Sequence, residues 1–246
     1  MISVLQLELA RALRTPGIWV IAAALQCVFA WYSLHALESY IELAPRLGAT
    51  INAPGLSTWL LARYCLPATF AAMLAVPVLT MQRVAGDRQC GVLSCLLAAP
   101  ISSLSIAAGK FAALAVLLAG LTTLSLLNVA VQLSVAPLDL PALVYAHASQ
   151  YLFLLACAGI GLVCSTWCRS PQVAAFCTAA SLMLLWLLSQ GGNSLLAAFS
   201  LGQHISRAMA GVLHTGDIVY FLAIVGVSLA VTARALDNDR VFGDRA

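Results

Sequence analysis

Six runs of apolar residues limit what this chain can become more than anything else in it. They cover about 17–37, 60–82, 104–135, 142–167, 172–189 and 218–235 of the 246 residues. Each is near or above the ~20 residues a helix needs to cross ~30 Å of hydrocarbon. With 62% hydrophobic and only 9% charged residues, against about 25% charged in soluble domains, the chain cannot clothe a water-facing surface. The expected fold is an all-α membrane protein of one domain, 1–246, with six transmembrane helices. The first apolar run continues through Trp31 to Leu37, so it reads as an uncleaved span rather than a signal peptide.

Orientation follows from the basic residues. With the N-terminus inside, Arg11, Arg14, Arg83, Arg88, Lys110, Arg169, Arg234, Arg240 and Arg245 are cytoplasmic, and only Arg46, Arg63 and Arg207 are outside. Both termini are therefore expected inside. Arg11, Arg14 and Lys110 are placed as membrane-interface anchors. The basic residues are scattered and not interleaved with exposed aromatics, so nucleic acid is not an expected partner.

Residues 2–14 precede the first span. Leu5, Leu9 and Leu13 share one face, with Glu8, Arg11 and Arg14 off it. This reads as an interfacial helix ending near Thr15-Pro16. Before the last span, residues 190–216 are moderately apolar. They read as a helical hairpin dipping into the outer leaflet, because backbone at that depth must stay hydrogen-bonded. Gly191-Gly192-Asn193 permits the turn into it. The tail after Ala235 is short and charged, and is expected to fray.

Little inside the spans offers chemistry. No charge falls near the centre of any run, whereas ion-coupled transporters usually keep an intramembrane carboxylate there. Thr122, Thr123, Asn128, Gln132 and Gln150 could line a pathway or, more commonly, bond between helices. Pro67 and Pro77 make the second span a candidate gate or hinge, or a helix with static kinks. Cys157, Gly161 and Ser165 repeat at four-residue spacing, which lets another helix approach closely. The eight cysteines include no Cys-x-x-Cys pair, and most lie within spans. The histidines His35, His147, His204 and His214 fall at the predicted outer face as independent residues. Neither a metal site nor a catalytic cluster is expected.

The segment 83–110 stands apart. It is charged, lies between two spans, and contains Asp87-Arg88-x-x-Gly91-x-Leu93-x-x-Leu96-Leu97-x-x-Pro100, then Gly109-Lys110-Phe111. Wound as one helix over 86–100, Asp87, Gly91, Ser94 and Ala98 form a polar-to-small stripe opposite Val92, Leu93, Leu96 and Leu97. Such a helix lies along the membrane surface. Gly109-Lys110 is not a P-loop, because Leu104 stands where the earlier glycine belongs and Phe111 replaces the Ser/Thr. Any nucleotide energy must come from another chain.

This segment resembles the signature of ABC-2 type transporter permeases, with Asp87 in place of Glu, Val92 of Thr and Ser94 of Glu. Glu8-x-x-Arg11 leading to Pro16, and His204, Gly211, Asp217, Tyr220 and Phe221, are similar to gliding-motility-type permeases of that superfamily. The resemblance implies an elbow helix at 2–14 and a coupling helix at 86–100. It implies docking of Asp87, Arg88, Gly91, Leu93, Leu96, Leu97 and Pro100 on a separate ATPase, which binds ATP and Mg. His204, Gly211, Asp217 and Tyr220 would shape the outer segment. Two permeases, as a homodimer or heterodimer, and two ATPase subunits would form a transporter in the bacterial cytoplasmic membrane, surrounded by lipid and an accessory protein. The function implied is ATP-driven export. The alternative is an ATP-driven assembly or extraction subunit, as in a surface-motility or pilus-type machine. A membrane-embedded enzyme lacks a catalytic cluster.

Overall fold

The computed structural model describes residues 2–47, 55–132, 139–188, 200–209 and 215–242. Among them there is no strand. The first helix, α1 (Ile2–Arg14), ends where Pro16 has no N–H to continue it. Its last carbonyls are taken by Thr15 Oγ1, which donates to Arg11 O at 2.9 Å, and by the Trp19 indole, which donates to Leu13 O at 2.8 Å. Then follow α2 (Pro16–Leu47), α3 (Leu56–Gln89), the short α4 (Val92–Ala98), α5 (Ser103–Val131), α6 (Leu140–Trp167), α7 (Pro171–Leu187), α8 (Leu201–Met209) and α9 (Thr215–Phe242). Ser102 and Ser170 cap α5 and α7 by accepting backbone N–H bonds.

Five of these helices, α2, α3, α5, α6 and α9, are long and apolar enough to cross a membrane. This is an all-α, multi-pass membrane architecture. The outward surface carries Trp31, Leu34 and Phe176 (the last 78% exposed), as expected where the solvent is lipid. The fifth run, read as 172–189, is the shorter helix α7 of 17 residues, roughly 25 Å long at 1.5 Å per residue.

The bundle is built around α3 and α6, its two most enclosed long helices. Helix α6 packs against α3, α5, α7 and α9. It runs parallel to α9, since Phe153 meets Phe221 with ring centroids 6.0 Å apart and Gly159 faces Ser228 one turn or more further along both. The stripe Cys157, Gly161, Ser165 serves packing within this chain. A Cβ on Gly161 would stand 2.5 Å from Thr80 Oγ1 of α3.

Polar side chains in the spans bond between helices or back to their own turns. Asn128 exchanges bonds with Gln26 at 3.3 Å, and Gln132 donates to Ser33 O and Oγ. Thr122 and Thr123 return to Ala119 O. Tyr64 donates to Ser125 O at 2.6 Å, and Ser125 Oγ lies 3.5 Å from His147 Nε2. Gln150 is buried, and its amide nitrogen has no partner among the described residues.

Two expectations need correction. The tail does not fray at Ala235: α9 runs on to Phe242, with Leu236 fully buried. Helix α1 turns Val4, Glu8 and Ala12 to the bundle and leaves Leu7 and Leu13 exposed, as an interfacial helix would. The segment 86–100 is not one helix. Gly91 adopts φ +70°, a left-handed conformation open to glycine, and breaks it into the end of α3 and the separate α4.

Candidate functional site

Both ends of the bundle carry polar structure, and they differ in kind. At one end sit the N-terminal helix, the 83–103 segment, the α6–α7 turn and the end of α9. Their charged side chains form two linked sets.

The first set is a buried ion cluster. The Lys110 ammonium, 0% exposed, bonds Glu8 Oε1 at 2.6 Å, the Arg83 carbonyl at 2.6 Å, and Asp87. Arg83 reaches the other Glu8 oxygen at 3.1 Å, and Arg11 reaches Asp87 Oδ1 at 2.7 Å. Lys110 is therefore not the interface anchor expected of it. It is the hub that ties α1, α3 and α5 together. Burial works to raise the Glu8 carboxyl, and is the largest single effect on it. The Lys110 ammonium and Arg83 guanidinium together outweigh burial and hold the group below its ordinary 4.5. A depressed carboxylate stabilises the fold above its ordinary value, so this contribution is whole at neutral pH and fades only as pH falls through the lowered one. Arg14 ends α1 with its side chain exposed.

The second set is a clasp. Arg88 donates to Asp239 at 2.5 Å, to Thr166 O at 2.9 Å and to Cys168 O at 3.2 Å. Asp237 accepts from Ser103, and Arg240 donates to Ile101 O at 2.7 Å. The end of α9 thus holds the segment 88–103 near both of its ends. Sequence reasoning missed this clasp. The spacing of Leu229, Thr232, Ala233 and Leu236 carries the helical period past Ala235, and was the signal for it.

Between its two fixed ends, α4 buries Leu93 and Leu97, with Leu96 half-buried. Asp87 is buried in the cluster and Arg88 is turned onto α6 and α9. Outward lie Gln89, Cys90, Gly91, Ser94, Cys95, Ala98 and Pro100. The predicted residues are therefore brought together but divided. Asp87, Arg88, Leu93 and Leu97 hold the segment in place, and the small residues between them make its free face.

Helix α3 leads into this site through two π-helical turns, Leu61–Cys65 and Gln82–Gly86. Pro67 lies two residues past the end of the first. Its ring clashes with the carbonyl four residues back, at Arg63, inside that turn. The second turn, five residues beyond Pro77, has a different support. Ser165 Oγ of α6 accepts from Val84 N at 3.2 Å and Ala85 N at 3.1 Å, and donates to Met81 O at 3.1 Å. Ser165→Ala should remove the acceptor that both N–H groups share in a buried site and lower stability by about 2 kcal/mol. Detergent-solubilised protein unfolded in SDS would read this, and a loss under ~0.5 kcal/mol would leave the π turn without that support.

At the other end, His204 bonds Asp217 and stacks on Tyr220 with centroids 4.0 Å apart, while Arg207 lies 3.4 Å from the same carboxylate oxygen. These join α8 to the start of α9. Gly211, His214 and the turn at 191–193 lie outside the described residues. His35 sits by Glu38, exposed, and His147 bonds within α5 and α6. Among the described residues no three His, Cys, Asp or Glu side chains form a group able to hold a metal.

Comparison with protein-family models finds no match, and comparison with curated proteins finds none either. What fold and site define together is a class, a multi-pass helical membrane protein with a rigidly clasped segment at its charged end.

Proposed function

We propose that this chain is the membrane-spanning permease subunit of an ATP-binding cassette transporter. A separate ATPase docks on α4 and drives export across the cytoplasmic membrane. The observation that carries the reading is the clasped segment: two ion networks fix its ends while its middle presents a small, nearly charge-free face outward. A surface that must receive force needs a rigid mount and a shape that another protein can cover. The resemblance of the same residues to the ABC-2 signature supplies the kind of partner.

Six crossings with both termini inside complete this reading. Helices α6 and α9 are parallel, so the chain between them must return from the charged end, and α7 is the described segment that starts back. Positive charge gathered at that end favours the cytoplasm. The alternative, an assembly or extraction subunit, uses the same docking face and differs only in whether cargo passes through. A homodimer is the expected permease assembly.

Ser94→Arg and Ala98→Trp test the docking face, since both side chains point away from the fold. Each should lower stimulation of a P-loop ATPase partner about tenfold or more, with unfolding unchanged, because a misfit at a packed interface costs well over ~1.4 kcal/mol. Wild-type stimulation in both would remove α4 from the coupling path. The exposed thiols of Cys90 and Cys95 report sidedness: an impermeant maleimide should label them in inverted vesicles and not in intact cells.

A further inference from the structure

The ion cluster is unbalanced, and a cavity opens against it. Among the described residues Arg11, Arg83 and Lys110 face Glu8 and Asp87, which leaves one positive charge in excess where the buried cluster meets the half-exposed Arg11. The excess cation at the rim of the cluster attracts an anion. The adjoining cavity, about 570 Å³, lies mainly between α1, α2 and α3 and is also lined by Val92 of α4 and Pro171 of α7; it is within the size range of ligand sites. Its walls are of two kinds. Glu8, Arg11, Arg83 and Asp87 line one side, and Ile18, Ile21, Val78 and Leu79 line the side that continues into the spans. Arg11, 44% exposed, commits only Nη1 to Asp87, so its Nε and Nη2 have no acceptor among the described residues.

We propose that this cavity binds an anionic phospholipid from the surrounding leaflet. The phosphate sits on Arg11 and supplies the missing negative charge, and an acyl chain lies along Ile18, Ile21 and Val78. A free anion would satisfy the charge but leave the apolar wall bare. A zwitterionic lipid would fill the wall but bring its own cation. Basic pockets between membrane helices commonly select anionic headgroups for this reason. The proposal does not rest on the ATPase reading. It makes α1 a lipid-held element, because the same lipid touches α1, α2 and α3.

The test is lipid retention by the full-length protein, measured by native mass spectrometry after exchange into detergent containing phosphatidylglycerol or phosphatidylcholine. Wild type should retain one phosphatidylglycerol and lose phosphatidylcholine. Arg11→Gln should weaken retention about tenfold, the worth of a charge-assisted bond to phosphate. Ile21→Trp fills the apolar part and leaves the ion cluster intact, and should also lose the lipid. Arg14→Gln, one turn away and outside the cavity, should retain it. Equal retention of both lipids, retention by Arg11→Gln or Ile21→Trp at the wild-type level, or displacement of the lipid by millimolar inorganic phosphate would each overturn the proposal.

Discussion

Lys110→Met is expected to destabilise the solubilised protein by roughly 3–5 kcal/mol, the cost of removing one partner from a buried charge network. The methionine fills nearly the same volume, so cavity formation contributes little. What is lost is electrostatic: Glu8 and Asp87 remain buried with their shared cation gone, and the Arg83 carbonyl loses its donor. Glu8→Gln should relieve part of that loss. In a double-mutant cycle the pair should cost less than the sum of the single changes by about 1–3 kcal/mol. Hydrogen exchange in α1 should rise in Lys110→Met before it rises in α6, because the cluster is what ties α1 to the bundle. Unfolding at the wild-type SDS fraction, or strictly additive costs, would mean the network holds nothing.

The second large effect belongs to Gly161. A Cβ there meets Thr80 Oγ1 at 2.5 Å, Cγ2 at 2.8 Å and Cβ at 2.9 Å. Thr80 cannot swing aside cheaply. Its side chain is short, β-branched and fully buried, and its hydroxyl already bonds Val76 O at 2.9 Å. Gly161→Ala should cost about 1–3 kcal/mol as overpacking, and Gly161→Val more. Thr80→Ala removes two of the three colliding atoms and should restore part of the loss. Gly226→Ala in α9 is the control. A Cβ there meets nothing within 4 Å, so the change should be neutral or stabilise by up to ~1 kcal/mol. If Gly161→Ala and Gly226→Ala behave alike, α3 and α6 do not touch as closely as described. The contact lies one turn before the π turn that Ser165 supports, so Gly161 and Ser165 together fix how α3 enters the clasped segment.

These two sites show what reading the residues can reach. Apolar run length alone gave the helical membrane class and the places of the long helices, because a span needs ~20 apolar residues whatever surrounds it. The break at Pro16 was also legible, since a missing N–H is a local fact. The small-residue spacing of Cys157, Gly161 and Ser165 announced a close contact and left its partner open. Tertiary structure named Thr80 and the π turn.

The charged residues were visible from the start, and their partners were not. Lys110 looked like an anchor because a lone lysine near a span end usually reaches for water. It is instead buried by Glu8 from 102 residues before it and Asp87 from 23 before it. Arg88 and Asp239 are 151 residues apart. Hydrophobic period is written in neighbouring residues, so the sequence by itself determined which segments are helices in lipid. Ion pairs between distant segments depend on which helix ends meet, and only the packing of α1, α3, α5 and α9 decided that Asp87 and Arg88 mount the segment 88–103 while Ser94, Cys95 and Ala98 face outward.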